Sequence, residues 1–332
     1  MKETINSIAS FLLENDNFAV AVHANPDGDC FGSACGLCTA LKTLGKTCII
    51  LSPMEIPKRL EFINYAEIPV YEGAEDFEEV KSEKHTFITV DVASGHLLDF
   101  MNEFFEENNS FAIDHHQSNT LTANCKYVDS KASAAGEIIY SVISKLEKIT
   151  GKVLFDQNAA SSVFAAISSD TGCFKYSNVT PKTFNIASKL IKSGAYSADI
   201  NYRLFDLKSH VQLEVEKLAY SKLEFYYNSA LSFIYLSDSE LKNIGAKASD
   251  TENVSQLGRG IEGVQISAYM RKKEDGHYKI SVRSNNNADM SLLCASFGIG
   301  GGHKKAAGCS IYADSAEKAK QIFIERAKDY IE

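Results

Sequence analysis

Several short apolar runs in the first half of the chain each have an acidic or imidazole side chain at or just beyond their carboxyl end. Residues 18–23, 86–92 and 110–113 are such runs, and amphipathic stretches such as residues 31–44 lie between them. Strands that are apolar throughout and alternate with helices are typical of βαβ units, which build a parallel sheet. In such sheets ligands bind beyond the carboxyl ends of the strands. The sequence therefore predicts an α/β domain with a polar site at that edge.

The length and the order of the predicted elements indicate two domains. The chain has 332 residues, more than the roughly 100–200 residues of one typical domain. Residues 206–228 have the apolar spacing of one long amphipathic helix, and a second set of short strands and helices follows. We expect an α/β fold with a parallel-sheet domain and flanking helices at residues 1–192. A helical linker is predicted at 193–228 and a smaller α/β domain at 229–332.

The net charge argues against long nucleic acid as a partner. The chain has 43 acidic and 34 basic residues, a formal net charge of −9. Proteins that coat long nucleic acid need a broad basic surface, because phosphate neutralisation dominates non-specific affinity. An acidic protein can still bind phosphate groups at a local site where metal cations invert the field. We therefore expect a short anionic partner and no tracking along a polymer.

No segment indicates export or membrane insertion. No apolar run approaches the roughly 18–20 residues of a membrane span, and residues 1–4 lack a secretory signal pattern. The eight cysteines lack the spacing of a disulfide framework, and Cys35 and Cys38 form a C-x-x-C pattern without a second pair. We expect a cytoplasmic protein without a membrane partner, with reduced thiols and a buried structural role for that pair.

The segment after the first predicted strand reads HANPDGD, residues 23–29. It contains one imidazole, His23, and two carboxylates, Asp27 and Asp29, and its proline and glycine favour a tight turn. Because the two carboxylates alternate, such a turn can direct them to different metal ions. A surface turn that only caps the following helix has the same composition. On this segment alone, both a metal site and a helix cap remain open.

Three further acidic positions follow predicted strands or helices. Asp91 ends the third apolar run, the triplet Asp114-His115-His116 ends the fourth, and Asp170 follows a predicted helix. A carboxylate at the end of a buried strand is costly unless it is paired or binds a metal. Each position alone also fits a helix cap or a satisfied buried group. The set as a whole predicts a dinuclear site with oxygen and nitrogen ligands.

The ligand types favour a divalent metal in a catalytic role. Structural zinc prefers cysteine ligands in closed tetrahedral sites, whereas imidazole with several carboxylates suits Mn²⁺ or a similar ion. Two such ions about 3.5–4 Å apart can hold a hydroxide nucleophile and stabilise in-line displacement at phosphorus. We therefore expect two divalent ions, Mn²⁺ first among them, as cofactors.

A basic residue and a glycine-rich segment mark the predicted second domain. Arg283 lies near the end of a predicted strand, and a glycine-rich loop follows the helix predicted at residues 288–297. The loop consists of Gly300, Gly301, Gly302 and His303. Consecutive glycines let backbone N–H groups approach an anion, and a guanidinium group can bind a phosphate through two hydrogen bonds. A glycine-rich loop alone is a weak signal, but together these residues predict a substrate-binding site.

Taken together, these motifs resemble the DHH phosphoesterase superfamily, in the subgroup that carries a C-terminal DHHA1 domain. The motifs are HANPDGD followed by FGS, TVDVAS around Asp91, the DHH triplet at 114–116, SSDTGCF around Asp170, and GIGGGHKKAAG at 298–308. They occur in the family order and span nearly the whole chain. The resemblance implies a DHH catalytic domain, a helical linker and a DHHA1 substrate-binding domain.

The resemblance also implies a role for each matched position. His23, Asp27 and Asp91 would bind one metal ion, and Asp29, Asp91, His115 and Asp170 would bind the second. His116 would contact the scissile phosphate, and Asp114 would orient the histidines. Arg283 and the segment from Gly300 to His303 would bind the phosphate or nucleotide end of the substrate. Domain closure would favour a chain terminus, and so exonuclease activity.

Within the superfamily, the compact two-domain length resembles the nano-RNases of the NrnA type. These degrade very short RNA from an end and dephosphorylate pAp (3′-phosphoadenosine 5′-phosphate) to AMP. The implied partners are thus RNA of about two to five nucleotides and pAp or dinucleotides. Relatives that hydrolyse pApA or cyclic di-AMP have the same build and remain an alternative. A catalytically idle nucleotide-binding module is an alternative of another class, but its mark, a lost ligand, is absent from the sequence.

Overall fold

The computed structural model describes residues 3–251, 253–274 and 276–332, except for the side chains of Ala248, Glu274 and His303. It divides into two compact units, Met1–Leu207 and Lys208–Glu332. Each of the four hydrophobic clusters lies within one unit. The predicted α/β class is confirmed, with a parallel sheet in the first unit and a mixed sheet in the second. The finer division with a linker at 193–228 stays a prediction.

A six-stranded parallel sheet forms the centre of the first unit. Its strands are β1 Phe18–Ala21, β2 Cys48–Ser52, β3 Val70–Glu72, β4 Thr86–Val90, β5 Phe111–Asp114 and β6 Cys125–Val128. The order across the sheet is β3-β2-β1-β4-β5-β6, and every neighbouring pair is parallel. The chain winds outward from β1 on one side and then returns to place β4 on its other side. This topological switch point lies between β1 and β4, where ligands bind in doubly wound sheets.

Helices cover both faces of this sheet because alternate residues of each strand point to opposite faces. The helices of the unit are α1 Ile5–Glu14, α2 Gly28–Thr43, α3 Lys58–Glu61, α4 Gly73–Ser82, α5 Asn102–Asn108, α6 Ala135–Thr150, α7 Gln157–Asp170, α8 Pro181–Lys192 and α9 Ser197–Asn201. A 3₁₀ turn, Gly95–Met101, and a π-helical turn, Tyr202–Asp206, complete the unit. In β1, Phe18 and Val20 belong to the larger core, while Ala19 and Ala21 face a smaller core with residues of α4 and α5.

Helices α2 and α7 approach each other closely through glycines spaced four residues apart. A Cβ atom at Gly32 would lie 2.7 Å from the Ser162 carbonyl oxygen, and one at Gly36 would lie 2.5 Å from Val163 Cγ2. A Cβ atom at Gly28 would meet Ser169 Oγ at 2.6 Å. The missing side chains thus bring the first turn of α2 close to the last turn of α7.

The second unit is built on a six-stranded mixed sheet. Its strands are β7 Glu224–Tyr226, β8 Leu231–Leu236, β9 Ile266–Glu274, β10 His277–Ser284, β11 Gly300–His303 and β12 Ala306–Tyr312, in the order β11-β12-β10-β9-β8-β7. Only the pair β8–β9 is parallel among these neighbours. The helices are α10 His210–Ser221, α11 Asp238–Asn243, α12 Val254–Arg259, α13 Met290–Ala295 and α14 Ala316–Ala327, with 3₁₀ turns at Ala248–Thr251 and Lys328–Tyr330.

The prediction of one long helix over residues 206–228 is wrong. Helix α10 covers only His210–Ser221, and Glu224–Tyr226 form strand β7. Ser209 and Gln212 form a reciprocal capping box that starts the helix at residue 210. The residues after it hydrogen-bond to β8 in antiparallel register, and this tertiary pairing overrides the helical spacing of the side chains.

The prediction of a glycine-rich loop at residues 300–302 is also wrong, because these residues form edge strand β11. The strand pairs with β12, and Gly301 lies opposite Gly308. A Cβ atom at Gly300 would lie 2.5 Å from the Cys294 carbonyl oxygen of α13. At Gly302, φ is +138°, a value that favours glycine. The glycines therefore allow a close approach of backbones within the sheet layer.

The cysteine prediction is wrong for one pair. Cys38 of α2 and Cys48 of β2 form a disulfide with their Cα atoms 5.5 Å apart, because α2 packs directly over β2 and brings the two positions within bonding reach. The other six cysteines are free thiols, and Cys35 is buried as predicted. In the described part of the chain, no helix combines the length and apolarity needed to cross a membrane.

Candidate metal centre

The first predicted motif forms the turn between β1 and α2. Asp27 caps α2, since its Oδ1 accepts hydrogen bonds from the backbone N–H groups of Asp29 (2.9 Å) and Cys30 (3.0 Å). His23 Nδ1 lies 3.0 Å from the Ala24 carbonyl oxygen. Because a carbonyl oxygen only accepts, Nδ1 carries the proton and Nε2 keeps its lone pair. That Nε2 lies 4.0 Å from a carboxylate oxygen of Asp27 and of Asp91. One turn thus supplies both the cap of α2 and the candidate metal ligands.

Asp29 is fully buried in the first turn of α2. Its two oxygens accept hydrogen bonds from the backbone N–H groups of Ala135 (2.6 Å) and Gly136 (2.9 Å), and Ser33 Oγ donates at 3.1 Å. Ala134, the residue that precedes α6, offers no side-chain cap. The Asp29 carboxylate therefore satisfies the amino end of α6 and gains from the helix dipole. This holds Asp29 rigidly at the carboxyl edge of the sheet.

Asp91 follows β4 at the topological switch point. Its φ is +59°, a left-handed conformation that Asp tolerates better than most residues. Its side chain is 2% exposed, and Oδ1 is buried without a hydrogen-bond partner among the described residues. An unsatisfied buried carboxylate oxygen is costly unless a cation or an ordered donor binds it.

Three carboxylates surround one nitrogen of His115. Nε2 lies 3.7 Å from Asp29 Oδ2, 3.5 Å from Asp91 Oδ1 and 3.6 Å from Asp170 Oδ2. These distances exceed those of hydrogen bonds. Donor atoms bound to one ion at about 2.0–2.2 Å lie about 3–3.5 Å apart. The spacing is thus close to that of ligands around a shared ion.

The protonation state of His115 suits a metal ligand. Burial, helped by the neighbouring His116, lowers its pKa below the ordinary value. Its Nδ1 lies 3.3 Å from the Ala132 carbonyl oxygen, so this nitrogen is the donor. The neutral ring then directs the Nε2 lone pair into the carboxylate cluster.

Asp114 is buried and engaged on both oxygens by hydrogen bonds. Oδ1 accepts from the His115 backbone N–H and from His116 Nδ1, both at 2.8 Å, and Oδ2 accepts from Asn119 Nδ2 at 2.6 Å. Burial alone would raise the pKa of Asp114, but these hydrogen bonds hold it below its ordinary value. Burial likewise opposes protonation of His116, yet the bond to Asp114 raises the pKa of that imidazole. Asp114 therefore orients His116 and favours its cationic form.

Asp170 is the last residue of α7, where the helix dipole disfavours a negative charge. Burial, followed by the neighbouring Asp27, raises its pKa to about 7. Burial and neighbouring carboxylates also raise the pKa values of Asp29 and Asp91 well above their ordinary range. Four carboxylates gathered with so little compensating charge form a site for divalent cations.

Sequence reasoning missed Cys30 and the hydrogen bonds that hold Asp29. Cys30 Sγ lies close enough to His23 and Asp91 to be a possible ligand. However, burial raises the pKa of this thiol, which donates to the Val90 carbonyl oxygen at 3.3 Å. It is therefore a structural donor. The link from Asp29 to the amino end of α6 spans 106 residues and leaves no local sequence signal.

The predicted substrate residues lie in the second unit. Arg283 is near the end of β10, where it pairs in register with Ser267 of β9 and Ala306 of β12. A Cβ atom at Gly301 would meet nothing within 4 Å, so there is open space beside this edge strand. The His303 backbone belongs to β11, and its side chain lies outside the described residues. The structure thus brings together His23, Asp29, Asp91, His115, His116 and Asp170, with Asp27 at the cluster's exposed side.

Two family models match the chain. The model described as DHH family, N-terminal domain, matches residues 17–167, and the DHHA1 domain model matches residues 230–332. Together they cover the parallel sheet with most of its helices, and strands β8 to β12 of the mixed sheet.

Relatives and solved structures agree with these matches. The bifunctional oligoribonuclease and PAP phosphatase NrnA of Thermus thermophilus is 29% identical over 93% of this chain and 89% of its own length. An exopolyphosphatase-related protein from Bacteroides fragilis has a TM-score of 0.88 at 22% identity and covers 98% of this chain and 96% of its own. RecJ in complex with Mn²⁺ from Thermus thermophilus has a TM-score of 0.56 at 15% identity, over 98% of this chain and 54% of its own. The two structures show likeness of fold.

Proposed function

Because this chain belongs to the DHH family and carries a DHHA1 domain, we propose that it is a divalent-metal-dependent phosphoesterase acting on very small nucleotides. Its substrates would be RNA of about two to five nucleotides, degraded from an end, and pAp, dephosphorylated to AMP. The relative from Thermus thermophilus, a bifunctional oligoribonuclease and PAP phosphatase, supports both activities. A cytoplasmic location is part of the same proposal.

The observation that carries the proposal is the buried Asp91 Oδ1. It has no described hydrogen-bond partner and lies 3.5 Å from a nitrogen of both His115 and His116. A divalent cation held by the Asp91 carboxylate would satisfy this atom. We propose two ions, first of all Mn²⁺, one held by His23, Asp27 and Asp91 and the other by Asp29, Asp91, His115 and Asp170. Carboxylate and imidazole ligands suit Mn²⁺.

The two ions, when bound, would supply charge neutralisation of the phosphate and lower the pKa of an attacking water. His116, held by Asp114 at 2.8 Å, would contact the scissile phosphate as a cation. Neutral His115 and the rigid Asp29 would fix the arrangement of the ligands. Arg283, Gly300, Gly301, Gly302 and His303 would bind the phosphate or nucleotide end of the substrate. The open space beside Gly301 and the guanidinium group of Arg283 support that role.

A substrate panel tests the activity. The full chain is assayed with Mn²⁺ and with a chelator on pAp, pApA, RNA of about two to five nucleotides and cyclic di-AMP. Metal-dependent turnover of pAp and of the shortest RNA is the expected result. Turnover confined to pApA or the cyclic dinucleotide would instead assign the enzyme to second-messenger breakdown. No turnover of any substrate, with tight pAp binding in the chelator, would indicate a binding module.

An Asp91→Asn variant tests the metal assignment separately. The amide keeps the shape of the carboxylate but removes the charge, so Mn²⁺ binding and turnover should both fall by at least about 100-fold. An Asp314→Asn variant, on an exposed residue of the second unit, is the matched control and should behave as the parent. Turnover near the parent level in Asp91→Asn would exclude Asp91 as a bridging ligand.

A further inference from the structure

Asn119 lies in the loop that follows the DHH triplet, and its amide makes four hydrogen bonds. Nδ2 donates to Asp114 Oδ2 at 2.6 Å and to the Val92 carbonyl oxygen at 2.9 Å. Oδ1 accepts from the Leu121 backbone N–H at 3.1 Å and from Lys126 Nζ at 3.2 Å. Both partners of the nitrogen are acceptors and both partners of the oxygen are donors. The chemistry of the four partners therefore fixes the orientation of the amide.

These bonds connect the two segments that carry the bridging carboxylate and the histidine pair. Val92 directly follows Asp91. The other oxygen of Asp114 accepts hydrogen bonds from the His115 backbone N–H and from His116 Nδ1. Backbone bonds repeat the same connection: the Asn119 N–H donates to the His116 carbonyl oxygen at 3.2 Å, and the Thr120 N–H donates to the Ala93 carbonyl oxygen at 2.8 Å. Asn119 thus holds the loop after β5 against the loop after β4.

We propose that Asn119 is a positioning residue for the metal centre, which sets the separation of Asp91 from the histidines through Asp114 and Val92. The proposal rests on the proposed phosphoesterase function for its kinetic consequence, but its effect on metal binding is independent of the substrate. Without Asn119, the Asp114 carboxylate is held only by the two hydrogen bonds at Oδ1, so the imidazole of His116 that it orients is held less firmly. Partners of this kind typically contribute about 10–100-fold to metal affinity or activity.

Two variants test whether Asn119 positions the metal centre or only stabilises the loop in which it lies. Asn119→Ala removes all four side-chain hydrogen bonds of Asn119. Asn119→Asp keeps its volume but places a carboxylate oxygen next to Asp114 Oδ2 and the Val92 carbonyl oxygen, where two acceptors meet. Ser118→Ala, at an exposed position in the same loop, is the matched control. Each full-length variant is measured for Mn²⁺ binding by calorimetry, for kcat and KM on pAp, and for its thermal midpoint in chelator.

Positioning predicts a loss of function that is larger than the loss of stability. Asn119→Ala should bind Mn²⁺ and turn over pAp about 10–100-fold less well, with KM for pAp within about threefold of the parent and a similar thermal midpoint. Asn119→Asp should lose at least as much, and Ser118→Ala should match the parent.

A folded Asn119→Ala protein with parent-like Mn²⁺ affinity and kcat would overturn the proposal. If Asn119→Ala does not fold, a folded Asn119→Asp protein with parent-like Mn²⁺ affinity overturns it equally. If the parent hydrolyses none of the substrates yet Asn119→Ala weakens Mn²⁺ binding, the proposed function fails while the positioning role stands.

Discussion

At the scale of single residues, the acidic cluster carries an electrostatic cost that bound cations or protonation would remove. Asp29 and Asp91 are almost completely buried, and the pKa of Asp170 is raised to about 7. Hydrogen bonds from the amino end of α6 compensate Asp29, but Asp91 Oδ1 has no such partner among the described residues. The metal-free protein should therefore show this cost in its stability.

The stability of the metal-free protein is expected to fall as pH rises. In the unfolded chain the Asp170 carboxyl ionises near its ordinary value of about 4, whereas its folded pKa is about 7. Between these values the folded state binds more protons at Asp170, so the contribution of this group to stability decreases with pH and levels off above about 7. The raised pKa values of Asp29 and Asp91 act in the same direction. Thermal midpoints in chelator from pH 5 to 8 measure the slope. Asp170→Asn should reduce the slope, and Asp314→Asn should leave it unchanged; a rise with pH would contradict the assignment.

The turn after Asp170 contains three consecutive left-handed residues, Gly172, Cys173 and Phe174, with φ of +55°, +59° and +61°. A residue with a Cβ atom in this conformation costs roughly 1 kcal/mol. Cys173→Gly should therefore stabilise the protein by up to about 1 kcal/mol, less what the unfolded chain gains in entropy. Chemical denaturation measures the difference. Cys173→Ala keeps the Cβ atom and removes only the thiol, so equal stability of the Gly and Ala variants would exclude relief of strain.

At the scale of secondary-structure elements, the site depends on how closely α2 and α7 pack. Asp29 lies in the first turn of α2 and Asp170 ends α7, while Gly28, Gly32 and Gly36 leave space between the two helices. The distance between the helices therefore sets the separation of two carboxylates that both lie near His115.

Gly32→Ala should weaken both the fold and the metal site. Its Cβ atom would lie 2.7 Å from the Ser162 carbonyl oxygen and 2.9 Å from the Ala166 backbone nitrogen, and backbone atoms of a helix cannot move aside independently. Overpacking of this kind costs about 1–3 kcal/mol. Urea denaturation and Mn²⁺ calorimetry are the measurements. At Gly260 the nearest atom is 3.8 Å away, so Gly260→Ala is the control; equal behaviour of the two variants would show that the helices can separate freely.

At the scale of the whole molecule, the two units have separate hydrophobic cores. The metal candidates all belong to Met1–Leu207, and the predicted substrate residues belong to Lys208–Glu332. A ligand that binds only the first unit raises the free energy of unfolding of that unit. The increase is about 2.7 kcal/mol when the free ligand concentration is 100 times its Kd.

Scanning calorimetry of the full chain should therefore show two transitions, of which Mn²⁺ raises only one. The transition that shifts should be the larger, because the first unit contains more residues and unfolding enthalpy scales with size. A single transition that shifts as a whole would instead mean that the units unfold cooperatively. No shift at saturating Mn²⁺ would argue against a metal site in the native protein.

The sequence by itself determined the class of fold and the identity of the clustered residues. Strands β1, β4 and β5 are mainly apolar, and His23, Asp91 and the DHH triplet lie at their carboxyl ends or just beyond. The rule that parallel strands end at one edge therefore placed Asp91 near the DHH triplet. The segment HANPDGD likewise indicated a helix cap, and Asp27 caps α2. These signals are local or periodic, so they can be recognised in the sequence without knowing which distant residues each segment contacts.

Only the tertiary structure decided the features that depend on a distant partner. Strands β3 and β6 are short and half-exposed, and each is recognisable only by its hydrogen bonds to the neighbouring strand. The break after α10, the glycine edge strand β11 and the pairing of Cys38 with Cys48 arise in the same way from neighbours in space. The side-chain hydrogen bonds of Asn119 also arise from neighbours in space, because the Val92 carbonyl oxygen that accepts one of them is 27 residues away in sequence. Such contacts have no periodic trace in the sequence, since they depend on distances that exist only after the chain has folded.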